Sequence, residues 1–372
     1  MDLPQTLAKV VDGGRLSADE ALALFEGARL ADLGAAAAAV CDKLHPEPVR
    51  TYVIDRNINY TNICTSGCRF CAFFRPPGHP EGYLLSTDEV LAKIREAARL
   101  GATQIMMQGG LHPTLKIEFY EDLLRSIRTA FPRGSLDSRF SAPGSLQIHS
   151  FSAPEVVHIA DVSGLDLRTT LARLQAAGLD SLPGGGAEIL VDAVRVQVSP
   201  GKASTAEWIE VMEAAAELGM RATATMVFGH VESFADRVEH LMRLRDFQDR
   251  TDLFTAFIPW TYQPGNTALG GEAVGGHDYL RTLAISRLTL DNVPNIQASW
   301  VTQGDAIAQV ALRFGANDIG STMIEENVVA AAGVQFRLSE ERLIELIHGA
   351  GFHAAQRDTM YSVLRIVERD AS

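Results

Sequence analysis

Three cysteines stand within one short run, Cys64-Thr65-Ser66-Gly67-Cys68-Arg69-Phe70-Cys71. Thiolates hold iron–sulfur clusters, and the spacing of ligands in a loop selects the cluster. Three thiolates satisfy three irons of a four-iron cube and leave the fourth iron open. An open metal position is the mark of a catalytic rather than a structural site. The same cysteines with His79 as a fourth ligand would make a zinc site instead, although zinc ligands usually come as two pairs and no second C-x2-C follows. The fourth cysteine, Cys41, lies in an alanine-rich helical stretch where a buried, inert thiol is expected, so a disulfide cage is not.

Other residues of chemical interest fall after short apolar runs. Gln108-Gly109-Gly110-Leu111-His112 follows one of them, and Gly109 and Gly110 let backbone approach a ligand or simply make a tight turn. Pro183-Gly184-Gly185-Gly186-Ala187-Glu188 follows another, with Glu188 either a ligand for sugar hydroxyls or a helix-start carboxylate. His112 and His230 are candidate proton acceptors near neutral pH, or hydrogen-bonded structural residues. Trp260, Tyr262 and Trp300 could wall a pocket for a flat aromatic substrate or pack in the core. Phe70, Phe73 and Phe74 would keep water from a cluster. Arg237, Glu239 and Arg243 read as a solvated helix face.

The elements that must position these residues repeat as strand, then helix. Thr51–Ile63 is β-rich and feeds the cysteine loop. Capping-box signatures at Ser17, Ser86, Ser152 and Ser204, each with glutamate three residues on, mark helix starts. Further strands are expected at Gln104–Met107, Leu146–Phe151, Asp180–Leu182, Ala222–Phe228, Phe254–Trp260, Ile296–Val301 and Asp318–Ser321. Alternation on this scale predicts an α/β chain with a parallel (β/α) barrel, with an open doubly wound sheet as the competitor. Residues 1–50 read as an N-terminal helical extension, and 51–372 as one barrel domain without a linker. The polar stretch Arg133–Ser145 reads as a surface insertion that follows a helix, away from the active face. In a barrel, functional groups gather at the C-terminal strand ends, which is where the glycine, histidine and aromatic clusters fall.

Of 372 residues 47% are hydrophobic, enough for a large core, and no apolar run approaches the ~20 residues that cross a bilayer. The N-terminus lacks the layout of a secretory signal, and few, clustered cysteines suit a reducing cytosol. A net charge of −13 argues against a nucleic-acid surface.

The cysteine loop resembles that of the radical S-adenosylmethionine (SAM) enzymes. That resemblance implies a [4Fe–4S] cluster held by Cys64, Cys68 and Cys71, with Phe70 beside it. It also implies SAM on the open iron, contacted through Gln108, Gly109, Gly110, Gly185 and Glu188. The strand Asn57-Ile58-Asn59-Tyr60-Thr61-Asn62-Ile63 is similar to one branch of that superfamily. The branch holds the two futalosine-pathway enzymes of menaquinone biosynthesis and the deazaflavin synthase subunits of coenzyme F420 biosynthesis. Within it, Gln104–Pro113, Pro183–Val191, Thr223–Glu232, Phe257–Pro264 and Asn295–Gly304 resemble the cyclic dehypoxanthine futalosine synthases. The implied reaction takes hydrogen from the ribose C4′ of dehypoxanthine futalosine. The sugar radical then attacks the benzoate ring, and loss of a proton and an electron completes a spiro product. Trp260, Tyr262 and Trp300 would contact that small-molecule substrate, and His230, His112 or Glu188 would serve catalysis. A flavodoxin- or ferredoxin-type donor would supply electrons in the cytoplasm, with no membrane or nucleic-acid partner. Aminofutalosine synthase and the deazaflavin synthase subunits are the alternatives within the branch.

Overall fold

The computed structural model describes residues 1–134, 146–334 and 337–369. The strands are β1 (Val49–Val53), β2 (Asp55–Ile58), β3 (Gln104–Met107), β4 (Gln147–Ser150), β5 (Ser181–Leu182), β6 (Arg221–Phe228), β7 (Phe254–Thr261), β8 (Asn295–Ile296), β9 (Asp318–Ser321), β10 (His353–Arg357) and β11 (Val363–Val367). Strands β2 to β8 form one parallel seven-stranded sheet in chain order, and β11-β10-β1-β9 forms a second. The two meet at β9. It touches Gln297 just after β8 on one side, while Thr322 and Ile324 beyond it donate to Val53 and Asp55 on the other. The sheet therefore curls back on its first strand, which an open doubly wound sheet does not do.

Side chains alternate across each strand. Ile105 and Met107, or Ala224, Met226 and Phe228, are buried beneath the helices. Asn57, Gln104, Met106, Thr223 and Thr225 face the barrel interior instead. The outer layer follows the serine signatures, because the capping boxes at Ser17, Ser86, Ser152 and Ser204 all form.

Three expectations change. The stretch Thr51–Ile63 is two strands broken at Ile54, which lets β1 serve one sheet and β2 the other. The strand expected at Ile296–Val301 is instead Asn295–Ile296, so only Ile296 of that stretch is strand. Trp300–Gln303 is a helical turn, closed by Gly304 at φ +81°. Strands β10 and β11 were not anticipated: His353–Arg357 (HAAQR) has two alanines as its apolar residues, and Val363–Val367 (VLRIV) is a short run interrupted by Arg365.

Within residues 1–50, the helices Leu3–Val11, Ala18–Gly27 and Leu30–Leu44 pack on the barrel's outer layer. Arg15 pairs with Asp249 and Asp291, and Arg281 donates to the carbonyls at the end of the second of these helices. Most of the insertion at 133–145 lies outside the described residues. Arg133 itself pairs with Asp180 at 2.7 Å.

Candidate active site

A cavity of about 370 Å³ occupies the barrel interior. Cys64, Cys68, Cys71, Phe70, Gln108, Gly109, Gly110, Gly185, Glu188, Trp260, Tyr262 and Trp300 all line it. One chamber therefore gathers residues from loops after β2, β3, β5, β7 and β8.

At the cysteine end the Ser66 hydroxyl sits between two sulfurs, 3.1 Å from Cys64 Sγ and 3.3 Å from Cys68 Sγ. All three thiols are free, and Phe70, Phe73 and Phe74 stand beside them on the cavity wall. Burial pushes the thiols of Cys68 and Cys71 up, against the nearby charge of Lys202. Ionised sulfur there calls for metal. A single zinc ion does not fit, because no three His, Cys, Asp or Glu side chains among the described residues converge on one point. His79 instead accepts from the Glu81 N–H, off the cavity. Three thiols on one wall, with no fourth protein ligand, fit a cluster of several irons with one position open.

Gly110 lies against the loop so closely that a Cβ would stand 2.3 Å from the Ile63 carbonyl and 2.8 Å from Cys64 Cβ. The N–H groups of Gly109 and Gly110 are taken, by Glu155 Oε1 at 2.8 Å and by the Thr61 carbonyl at 2.9 Å. What this turn can offer a ligand is carbonyl oxygen, which suits an ammonium group. The triple glycine answers a steric need as well: a Cβ on Gly184 would meet the β6 backbone at 2.6 Å.

Two buried carboxylates serve this end. Glu188, at φ +40°, receives Lys202 Nζ at 2.7 Å. Burial alone would push its carboxyl up, but Lys202 and Arg195 hold it below the usual range. Glu155 closes the capping box at Ser152 and also accepts from Tyr60 at 2.8 Å, so one residue starts a helix and fixes the glycine turn. Sequence reasoning recorded Glu155 only as a cap and missed Lys202 and Tyr60. Lys202 carried a weak signal, a lone lysine fourteen residues beyond Glu188.

The structure does not bring His112 and His230 to the cavity. The His230 side chain is fully buried, with Nδ1 2.9 Å from Glu232 and Nε2 3.0 Å from the Val227 carbonyl, so both ring nitrogens are committed to its own loop. His112 lies on the partly exposed far side of the β3 loop, and its Nδ1 accepts from Thr114. Arg237 is not on a solvated face. It is buried, pairs with Glu232 and Asp278, and stacks over Phe228. Glu239 and Arg243 are exposed as expected.

Of the aromatics, Trp300 is 2% exposed, with its indole N–H donating to the Ser321 carbonyl at 2.9 Å. Tyr262 is pinned through its hydroxyl to Thr267 and the Gly270 carbonyl. Trp260, half-buried on the same wall, has no such tie among its described contacts.

Residues 58–244 match the family model of the radical SAM superfamily, and residues 251–370 match that of the CofH/MqnC C-terminal region. The chain is 47% identical to a cyclic dehypoxanthine futalosine synthase of Halalkalibacterium halodurans, over 99% of this chain and 96% of that one. It is 44% identical to the synthase of that name from Streptomyces coelicolor, over 100% of this chain and 91% of that one. A 5-amino-6-(D-ribitylamino)uracil–L-tyrosine 4-hydroxyphenyl transferase of Archaeoglobus fulgidus is 41% identical over 87% of this chain and 92% of its own. In fold, the hydrogenase maturase HydG of Carboxydothermus hydrogenoformans superposes with a TM-score of 0.72 at 14% identity, covering 97% of this chain and 80% of that one. The chain belongs to the radical SAM superfamily and to its CofH/MqnC branch. It is a radical SAM enzyme whose cofactors are a [4Fe–4S] cluster and SAM.

Proposed function

We propose that this radical SAM enzyme converts dehypoxanthine futalosine to cyclic dehypoxanthine futalosine in menaquinone biosynthesis. The observation that carries the reading is the reach of the similarity. The two synthases align with 99% and 100% of the chain at 47% and 44% identity, whereas the archaeal transferases align with 84–96% of it at 37–41%. The alternative, a deazaflavin synthase subunit, has less behind it, because each of these transferases is less identical to this chain than either synthase.

When bound, the cluster and SAM would supply a 5′-deoxyadenosyl radical, a species able to remove the ribose C4′ hydrogen atom. The chain's own residues then have separate tasks. Cys64, Cys68 and Cys71 would hold three irons of the cluster. The carbonyls of the Gly109–Gly110 turn, which Glu155 holds in place, would accept from the amino group of SAM. Glu188, kept ionised by Lys202, would accept hydrogen bonds from the hydroxyls of the cofactor's ribose. Phe70, Phe73, Phe74 and Leu111 exclude water, which matters because a primary alkyl radical attacks almost any C–H group. Trp260 and Tyr262 wall the aryl ring. Electrons come from a flavodoxin- or ferredoxin-type protein, which a chain of net charge −13 must receive on a locally basic surface. Among the described residues no helix is long and apolar enough to cross a membrane.

The test is to incubate cluster-loaded, reduced enzyme with SAM and dehypoxanthine futalosine. Cyclic product and 5′-deoxyadenosine should appear together, and neither should form with the transferase's two substrates. A Cys68→Ala variant should show no four-iron signal by Mössbauer spectroscopy and no turnover. A wild-type enzyme that turns over the transferase's substrates would sink the reading.

A further inference from the structure

Opposite the cysteines, the cavity ends on a polar floor where the N-terminal ends of β2 and β3 meet the segment after β10. Asp55 lies there, accepting from Ser321 and from Gln104 Nε2 at 2.8 Å. Beside it, three polar atoms are shut away from water with no hydrogen-bond partner: Asn57 Oδ1, Thr359 Oγ1 and the Tyr361 hydroxyl. Asn57 and Thr359 are each 4% exposed, and all three residues line the cavity. Tyr361 is held at φ +65°, a conformation that side chains other than glycine rarely take. An orphaned buried polar atom costs about 1–3 kcal/mol, and backbone strain adds to that. Such costs gather where a ligand completes the site.

The chemistry of the floor selects the ligand. Its one cation, Arg357, is bound through Nε and Nη2 to both oxygens of Asp318, so no unpaired positive charge awaits a carboxylate among the described residues. The floor offers oxygens: a carboxylate, an amide carbonyl and two hydroxyls. Such a set binds groups that both donate and accept hydrogen bonds. Thr359 and Tyr361 also belong to the stretch matched by the CofH/MqnC C-terminal region, outside the part shared with the superfamily. That location assigns the floor to substrate rather than to the common cofactors.

We infer that this floor seats the hydroxyl-bearing edge of the substrate's sugar, with Asp55 and Asn57 accepting from its hydroxyls and Thr359 and Tyr361 completing the contacts. The inference rests on the substrate proposed above. The C1′ and C2′ hydroxyls lie across the furanose ring from C4′, so seating them here turns C4′ toward the cysteine end. Strand β2 rises roughly 10 Å from floor to loop, room for one ring between the two.

Equilibrium binding of substrate to the cluster-loaded enzyme, measured by calorimetry, tests this. Thr359→Val and Tyr361→Phe should each weaken dehypoxanthine futalosine about tenfold. They should leave unchanged the affinity for an analogue lacking the C1′ and C2′ hydroxyls, and should weaken an analogue lacking the aryl carboxylate as much as the parent. Equal losses for parent and deoxy analogue, or unchanged binding of the parent by both variants, would overturn the inference. Wild-type enzyme that neither binds nor cyclises the parent would overturn the substrate proposal instead.

Discussion

Each end of the barrel cavity carries one buried ion pair, and the two are built for different work. Near the cysteines, Lys202 meets Glu188 through a single 2.7 Å contact, and the lysine side chain keeps 18% exposure. At the floor, Arg357 grips both oxygens of Asp318, with side-chain exposures of 4% and 0%. Asp318 is further engaged by the Thr51 hydroxyl at 2.6 Å and the Gly320 N–H at 2.8 Å. The floor pair is saturated and ties β9 to β10 across β1. The upper pair is loose and leaves ammonium donors facing the chamber. A saturated pair fixes architecture; an open one can still answer a ligand.

The contrast predicts unequal losses. Arg357→Leu should cost the most stability, about 3–5 kcal/mol, because it strands a carboxylate that has no water. Thermal melting of the cluster-loaded protein checks this, and a shift no larger than that of a surface variant would dissolve the distinction. Lys202→Met should melt closer to wild type, since Glu188 can regain water through the exposure that the lysine leaves. Its product formation should nevertheless fall at least tenfold. Equal melting losses in the two variants would erase the comparison.

A buried, ion-paired carboxylate outside the cavity sharpens it. Burial pushes Glu232 up, but His230 and Arg237 outweigh it and hold the carboxyl down at about 2. A depressed carboxyl stabilises the fold above its unfolded value of roughly 4.3 and loses that contribution as pH falls toward 2. The contribution is about 3 kcal/mol. Glu232→Gln should therefore lower stability at pH 7 and flatten its decline between pH 4 and 2, as followed by denaturant melts. The smallest effect is expected of His112→Ala. With its ring off the cavity, kcat should stay within about twofold of wild type, and a larger loss would return it to the mechanism.

How much of this was legible follows the range of each interaction. The cysteine loop, the glycine turns and the serine caps are local, and their residues stand where their spacing predicted. Asp318–Ser321 was recognised as strand, yet nothing near it in sequence announced Arg357, because the pairing spans a whole strand–helix unit. His230 misled for the opposite reason. A histidine after a strand looks like a catalyst until its loop partners, Glu232 and the Val227 carbonyl, are seen to occupy both nitrogens. A signal for the floor was present in Asp55-Arg56-Asn57-Ile58-Asn59. Residues 55, 57 and 59 are all polar and share the face that looks inward, where a core strand would carry apolar residues.

The sequence by itself determined the cluster chemistry and the strand–helix repeat, because three thiols within one loop and period-2 or period-3.6 patterns act over a few residues. Only the tertiary structure decided which carboxylates, amides and hydroxyls share the barrel's interior. Closing the sheet at β9 brings together residues from β2, β3, β9 and the segment after β10. Their electrostatics depend on burial and on partners far along the chain, which no local pattern encodes.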